Sequence, residues 1–254
     1  IDGEASNDNS GYSVSLSANG NRVAIGAINN NGNGTYSGHV RIYEYINNSW
    51  NQLGTDIDGE ASGDKSGDSV SLSADGNRVA IGAIFNDGNG EKSGHVRIYE
   101  YYNNSWNQLG SDIDGEAEYD KSGWSVSLSA DGNRVAIGAI YNGSESGHVR
   151  IYEYINNSWN QLGTDIDGEA SGDYSGYSVS LSADGNRVAI GAIGNDGNGE
   201  NSGHVRIYQY INNSWEQVGS DIDGEAEYDS SGYSVSLSAD GNRVAIGAPY
   251  NLDN

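Results

Sequence analysis

The stretch IDGEASNDNSGYSVSLSANGNRVAIGA, residues 1–27, decides the fold because it comes back. Its opening Ile-Asp-Gly-Glu-Ala recurs at Ile57, Ile113, Ile166 and Ile222, at spacings of 56, 56, 53 and 56 residues. The copies are 1–56, 57–112, 113–165, 166–221 and a partial 222–254, read together as one domain spanning 1–254. Near-identity at such a period marks a solenoid, a propeller or an array, in which one supersecondary unit stacks on the next.

Within the unit, Tyr12, Val14 and Leu16 alternate with Ser13, Ser15 and Ser17. That period of two is a strand with one large and one small face. Asn19-Gly20 follows, replaced in later copies by Asp75-Gly76, Asp131-Gly132, Asp184-Gly185 and Asp240-Gly241. Such pairs favour a type I′ hairpin turn, because both central residues need positive φ. Arg22 to Ala27 is the second strand of that hairpin. A Gly/Asn-rich loop comes next, Asn86 to Glu91 in the second copy. The third copy trims it to Asn142-Gly143-Ser144-Glu145, a loss that only a loop tolerates, since in a strand it would flip the faces. His39 to Tyr45 is a third strand, Asn47-Asn48 a turn, and Trp50 to Ile57 a fourth strand. The fold class is therefore all-β: a β-propeller of four-stranded antiparallel blades, about five of them, as four full repeats plus a partial fifth. A β-solenoid has shorter coils and lacks the Asp-Gly hairpins. Ser13, Ser15, Ala24 and Gly26 are small enough to let neighbouring blades approach, and Tyr and Trp fill the wider outer gap.

Composition narrows the function. The formal charge is -24, a field that repels nucleic acid and anionic membrane and attracts cations. The hydrophobic fraction is only 35%, but 24 aromatics spaced with the repeat argue against disorder. There is no cysteine, which excludes disulfides and thiolate metal sites. No apolar run approaches the roughly 20 residues of a membrane span, so direct membrane insertion is not expected. There is no methionine either, so Ile1 is not a translation start and the chain reads as part of a longer or processed protein or repeat assembly.

Gly11-Tyr12-Ser13-Val14 followed by Val23-Ala24-Ile25-Gly26-Ala27 resembles the FG-GAP repeat. The last copy is nearest to it, with Gly232-Tyr233-Ser234-Val235 and then Val244 to Tyr250, including Pro249. The third-strand Gly-His-Val-Arg-Ile-Tyr extends the likeness through each full unit. FG-GAP repeats build the propeller of integrin alpha subunits and of many bacterial surface proteins. The resemblance implies an extracellular or cell-surface protein, a non-catalytic adhesion or scaffold module. Two departures stand out. Ser10, Ser66, Ser122, Ser175 and Ser231 replace the phenylalanine of the family name, and the family's Asp-rich calcium loop is here only Ser17 to Asn21. The family's calcium cage is therefore not carried over.

The residues offer other candidates. Asp56, Asp58, Glu60 and Asp64 recur as Asp112, Asp114, Glu116 and Asp120, as Asp165, Asp167, Glu169 and Asp173, and as Asp221, Asp223, Glu225 and Asp229. Acids two apart around a glycine suit a hard cation that wants six to eight oxygens, so Ca²⁺ is the candidate ion. The bland counterpart is a solvated acidic loop whose carboxylates cap backbone amides. The long loop, with Asp87, Asn89 and Glu91, reads as turn-forming, because the first copy loses the charges and keeps the length. His39, His95, His148 and His204 stand once per blade, too dispersed to share one zinc ion, and read as structural. Trp50, Trp106, Trp159 and Trp215 follow Asn-Asn turns and are the candidates for a glycan-stacking, lectin-type alternative. The Asn47, Asn103, Asn156 and Asn212 sequons read as chance products of those turns. No nucleophile–base–acid constellation and no phosphate-cradling motif appears, so the chain is expected not to be an enzyme. Its expected partner is an extracellular protein or glycan, not nucleic acid.

Overall fold

The structure is a computed structural model that describes residues 1–251; positions 252–254, the end of the partial repeat, lie outside the described residues. The first repeat forms β1 (Ser10–Leu16), β2 (Arg22–Ala27), β3 (His39–Ile46), β4 (Ser49–Gln52) and β5 (Ile57–Asp58). The second forms β6 (Ser69–Leu72), β7 (Arg78–Ala83), β8 (His95–Tyr102), β9 (Ser105–Gln108) and β10 (Ile113–Asp114). The third forms β11 (Ser125–Leu128), β12 (Arg134–Ala139), β13 (His148–Ile155), β14 (Ser158–Gln161) and β15 (Ile166–Asp167). The fourth forms β16 (Ser175–Leu181), β17 (Arg187–Ala192), β18 (His204–Ile211), β19 (Ser214–Gln217) and β20 (Ile222–Asp223). The hairpin β21 (Ser234–Leu237) and β22 (Val244–Gly247) belongs to the fifth. The chain is an all-β repeat propeller of about five blades. Each full blade runs antiparallel from innermost to outermost strand, β1-β2-β3-β4 in the first. Strands β1, β6, β11, β16 and β21 follow one another as the innermost strands, each packed on the next.

Two expectations are corrected. The fourth strand does not run from Trp50 to Ile57. It breaks into β4 and β5, which pair with opposite ends of β3. The break falls at Gly54, whose φ is +77° and which lies beneath Trp106 of the next repeat. The Asp-Gly hairpins are not type I′ turns: Gly76 N donates to the Ser73 carbonyl (2.9 Å), so Ala74 and Asp75 are the central residues, and the positive φ, 69°, falls after them on Gly76. Asp75 does not take a positive φ, and its carboxylate accepts from Ser73 Oγ (2.6 Å), Asn77 N (2.9 Å) and Asn77 Nδ2 (2.8 Å). The turns with both central residues left-handed are the Asn-Asn pairs, with φ of 54° and 62° at Asn47 and Asn48. Asparagine tolerates that conformation better than most residues.

The core lies between blades. Ala24, Val40, Ile42 and Ile57 of the first repeat pack with Leu72, Val79, Ile81, Tyr99 and Trp106 of the second. The small faces make the seam. Ser13 Oγ donates to the Gly67 carbonyl (2.6 Å), and Ser15 Oγ accepts from Leu72 N (2.9 Å). A Cβ on Gly26 would sit 2.2 Å from the Gly67 oxygen, so only glycine fits there. Arg22 crosses the same seam to Asn77 Oδ1 (2.5 Å) while its Nε holds Glu44 (2.9 Å).

Candidate functional site

Antiparallel topology places the hairpin tips and Asn-Asn turns at one end of the blades. The inter-repeat acidic segments, the long loops and the first residues of the third strands lie at the other end, the loop rim. His95 opens β8 there and is 1% exposed. Its Nδ1 lies 3.8 Å from Glu60 Oε2, in the segment entering the repeat, and 3.8 Å from Asp112 Oδ2, in the segment leaving it. The same grouping forms from Glu4, His39 and Asp56 (3.8 and 3.7 Å) and from Glu116, His148 and Asp165 (3.7 and 3.8 Å). Glu169, His204 and Asp221 make the fourth, with Glu169 Oε2 at 3.9 Å.

Each carboxylate is held by its outer oxygen. Gln108 Nε2 donates to Asp112 Oδ1 (2.6 Å), and Arg97 Nη1 lies 3.5 Å from Glu60 Oε1. The inner oxygens, Oδ2 and Oε2, are thereby turned toward the imidazole. Gln52, Gln161 and Gln217 hold Asp56, Asp165 and Asp221 in the same way. Asn89 Nδ2 donates to the carbonyls of Gly115 (2.8 Å) and Glu116 (2.9 Å), so the long loop braces the next acidic segment. No ring nitrogen of the four histidines has a hydrogen-bond partner. Burial, reinforced by Arg97, pushes the His95 pKa down to about 4. His148 and His204 move the same way, from burial and then from Arg150 and Arg206. These imidazoles are neutral at pH 7 and keep a lone pair. Burial raises the Glu60 carboxyl.

The sixteen acids singled out in the sequence thus divide. Asp56, Glu60, Asp112, Glu116, Asp165, Glu169 and Asp221 converge on histidines, with Glu4. Asp58, Asp114, Asp167 and Asp223 sit on the short strands paired with the histidines, and the backbone carbonyls of the first three accept from Arg97, Arg150 and Arg206. Asp64, Asp120, Asp173 and Asp229 are 3–4% exposed and brace turns: Asp64 Oδ2 accepts from Ala61 N (3.0 Å) and Asn86 Nδ2 (3.1 Å). Their Oδ2 atoms thus serve as caps of backbone and side-chain amides. Glu225 meets Asn251 Nδ2 at 3.3 Å, and no histidine follows His204 in the chain to complete a fifth cluster. The histidines are what sequence reading set aside. The signal was present: His, Glu and Asp share one period, and only the pairing of one boundary's Glu with the next boundary's Asp was hidden.

The tryptophans lie at the seams between repeats. Trp106, Trp159 and Trp215 are 8–9% exposed, and their Nε1 atoms donate to the carbonyls of Leu53, Leu109 and Leu162 at 2.7 Å. They seal the seam to the preceding repeat. Trp50, in the first repeat, is 36% exposed.

The rim also breaks symmetry. Where the second, third and fifth repeats place Phe85, Tyr141 and Tyr250 and the first has Asn29, the fourth has Gly194. The missing ring opens a cleft of about 580 Å³ lined by Tyr174, Asn201, Glu227, Tyr228 and Tyr250. Nearer the centre, Asp68 takes a position held in other repeats by Tyr12, Trp124, Tyr177 and Tyr233; the rings of Trp124 and Tyr177 (5.6 Å) and of Tyr177 and Tyr233 (5.0 Å) meet at a tilt.

Comparison with known proteins agrees with this architecture. The FG-GAP repeat matches residues 55–99 and 164–208. No curated protein sequence matches the chain. Among solved structures, the periplasmic gluconolactonase of Pseudomonas aeruginosa aligns over 92% of this chain and 64% of its own, at 16% identity and a TM-score of 0.62. A candidate 6-phosphogluconolactonase of Bacteroides uniformis aligns over 92% and 57%, at 11% identity and 0.58. TolB of Acinetobacter baumannii aligns over 91% and 47%, at 16% identity and 0.50. The chain spans about half to two thirds of the length of these structures, and at such identities the likeness is one of fold. It corrects one expectation. The fold is shared with lactonases, so the lack of a nucleophile–base–acid constellation does not make this chain a non-enzyme. No helix among the described residues is long and apolar enough to cross a membrane.

Proposed function

We propose, for a chain that carries FG-GAP repeats on a propeller frame, a binding role outside the cytoplasm: an adhesion or scaffold module at the cell surface whose loop rim engages a glycan. The observation that carries this reading is the cleft left by Gly194. Tyr228 and Tyr250 are 53% and 60% exposed beside it, and Asn201 and Glu227 stand at its wall. Sugar rings present apolar C–H faces to aromatic side chains and hydroxyls to amides and carboxylates, which is the mixture found here. The strong negative charge favours a neutral glycan over an anionic one.

A glycan array followed by calorimetry tests it. Binding of a neutral oligosaccharide should weaken at least about tenfold in Tyr228→Ala, the loss of about 1.4 kcal/mol expected for a stacking ring. Tyr228 is exposed, so the fold should survive the change. A panel of sugar lactones belongs in the same experiment, because lactonases share the fold. Turnover abolished by Glu227→Gln would replace binding by catalysis at this cleft. Neither binding nor turnover across the panels would reject the cleft as a sugar site.

A further inference from the structure

We propose that the four Glu–His–Asp clusters of the loop rim are divalent transition-metal sites of the Zn²⁺ class, one at each seam where a repeat's entering and leaving segments meet its third strand. An acidic cluster alone would say little. Here each holds an imidazole that is 1% exposed and whose ring nitrogens have no hydrogen-bond partner. In three clusters Nδ1 faces two carboxylate oxygens at 3.7–3.8 Å; in the fourth it faces Glu169 at 3.9 Å, with Asp221 within 4.8 Å. Those separations are too long for hydrogen bonds. They are close to the spacing that an ion imposes on its ligands: with bonds of about 2.0–2.2 Å, a tetrahedral ion sets its donors about 3.4 Å apart. Glu60 and Asp112 are partly exposed, so their side chains have room to close on an ion.

The surroundings are those of a built site. Gln108 and Arg97 take the outer oxygens of Asp112 and Glu60 and leave the inner oxygens aimed at Nδ1, the orienting arrangement that metal ligands rely on. Arg97 offsets part of the negative charge, so a dication neutralises the cluster without a large excess. An open cleft of about 570 Å³ lined by Glu116, Gln161, Asp165 and Asp167 leads to the third cluster, which gives an ion a route in and room for a water ligand. Donor chemistry selects the metal. One imidazole with two singly offered carboxylates suits zinc and its transition-metal neighbours, whereas calcium wants six to eight oxygens. The Ca²⁺ expected from sequence is thereby replaced at this place by a softer ion. Such an ion would tie Glu60, His95 and Asp112, and so the two ends of a repeat, to its third strand.

The test uses the metal-stripped chain, titrated with Zn²⁺ against a chromogenic chelator, with Ca²⁺ and Mg²⁺ in parallel and Co²⁺ as a spectroscopic probe. The expected result is up to four Zn²⁺ per chain at a Kd of about 10 μM or tighter, and visible Co²⁺ absorption bands. The paired change Glu116→Gln with Asp165→Asn should remove one ion of the four while leaving circular dichroism unchanged, because both side chains are partly exposed. His148→Gln should remove the same ion and the nitrogen contribution to the Co²⁺ spectrum. Less than one Zn²⁺ bound per chain at about 0.1 mM would overturn the proposal. So would a stoichiometry indifferent to the paired change, or equal occupancy by Ca²⁺.

Discussion

Asp68 stands where the other repeats put an aromatic ring, and burial raises its carboxyl pKa from 3.8 to about 6, against the pull of Lys65 and Lys121. Between those two pH values the folded chain holds a proton that the unfolded chain has released, so stability falls as pH rises from below 4 through 6. Asp68→Asn removes the titrating group. The variant should therefore gain on the parent by up to about 3 kcal/mol between pH 3.5 and pH 7.5, read as the change in the difference of urea midpoints. A difference that stays constant with pH would show that Asp68 ionises freely. The tryptophans supply a second contrast at this scale. Trp159→Ala deletes a buried ring and its bond to the Leu109 carbonyl, and should cost about 3–5 kcal/mol. Trp50→Ala removes the same residue type from an exposed position and should cost about 1 kcal/mol or less. Chemical denaturation of both variants decides whether these rings act as seam packing; equal losses would reject that role. Sequence reading could not separate Trp50 from Trp159, because the two share a motif and differ only in whether a preceding repeat covers them.

At the scale of the element, the second strand is dictated by what its neighbour needs. A Cβ on Gly138 would lie 2.2 Å from the Gly176 carbonyl oxygen, and that oxygen also accepts from Ser125 Oγ at 2.7 Å. Backbone on the far side of the contact cannot yield as a flexible side chain would. Gly138→Ala should therefore open the seam between the third and fourth repeats and cost at least about 2 kcal/mol. Ser125→Ala, which deletes the hydroxyl and leaves the approach intact, should cost about 1 kcal/mol. Thermal melts of the two variants rank them, and a harmless Gly138→Ala would mean that the blades stand farther apart than described. Ser13, Ser15 and Gly26 revealed this close approach in the sequence through their alternation alone. The turns were less legible. Asp75-Gly76 and Asn47-Asn48 both belong to the composition of a type I′ turn, yet Asp75 takes no positive φ and spends its carboxylate on Ser73 and Asn77. The Glu–His–Asp clusters were less legible still. Period shows that Glu60 and Asp112 are equivalent to other residues, but only the return of the chain across β8 brings them to one imidazole.

For the whole molecule, repetition makes stability close to a sum over repeats and the seams between them. The seams are not equally furnished. Val179 and Leu181 of the fourth repeat are 9% and 7% exposed, whereas the matching Val14 and Leu16 of the first are 64% and 61% exposed. At the other end, a Cβ on Gly219 would meet nothing within 4 Å, while its counterparts Gly54, Gly110 and Gly163 each lie against the Trp of the next repeat. The interior strands are thus held on two sides and the outer repeats on one. Regions with fewer buried apolar contacts open locally at lower free energy. Amide hydrogen exchange on this chain should accordingly show a gradient, slowest in β7, β12 and β17, where Ala80, Ala136 and Ala189 are fully buried, and fastest in β1 and the β21–β22 hairpin. Protection of uniform height from β1 to β22 would contradict a stack of independent seams. It would mean that the first and last repeats share energy, and the propeller would then behave as one cooperative ring in which loss of any seam is felt at all of them.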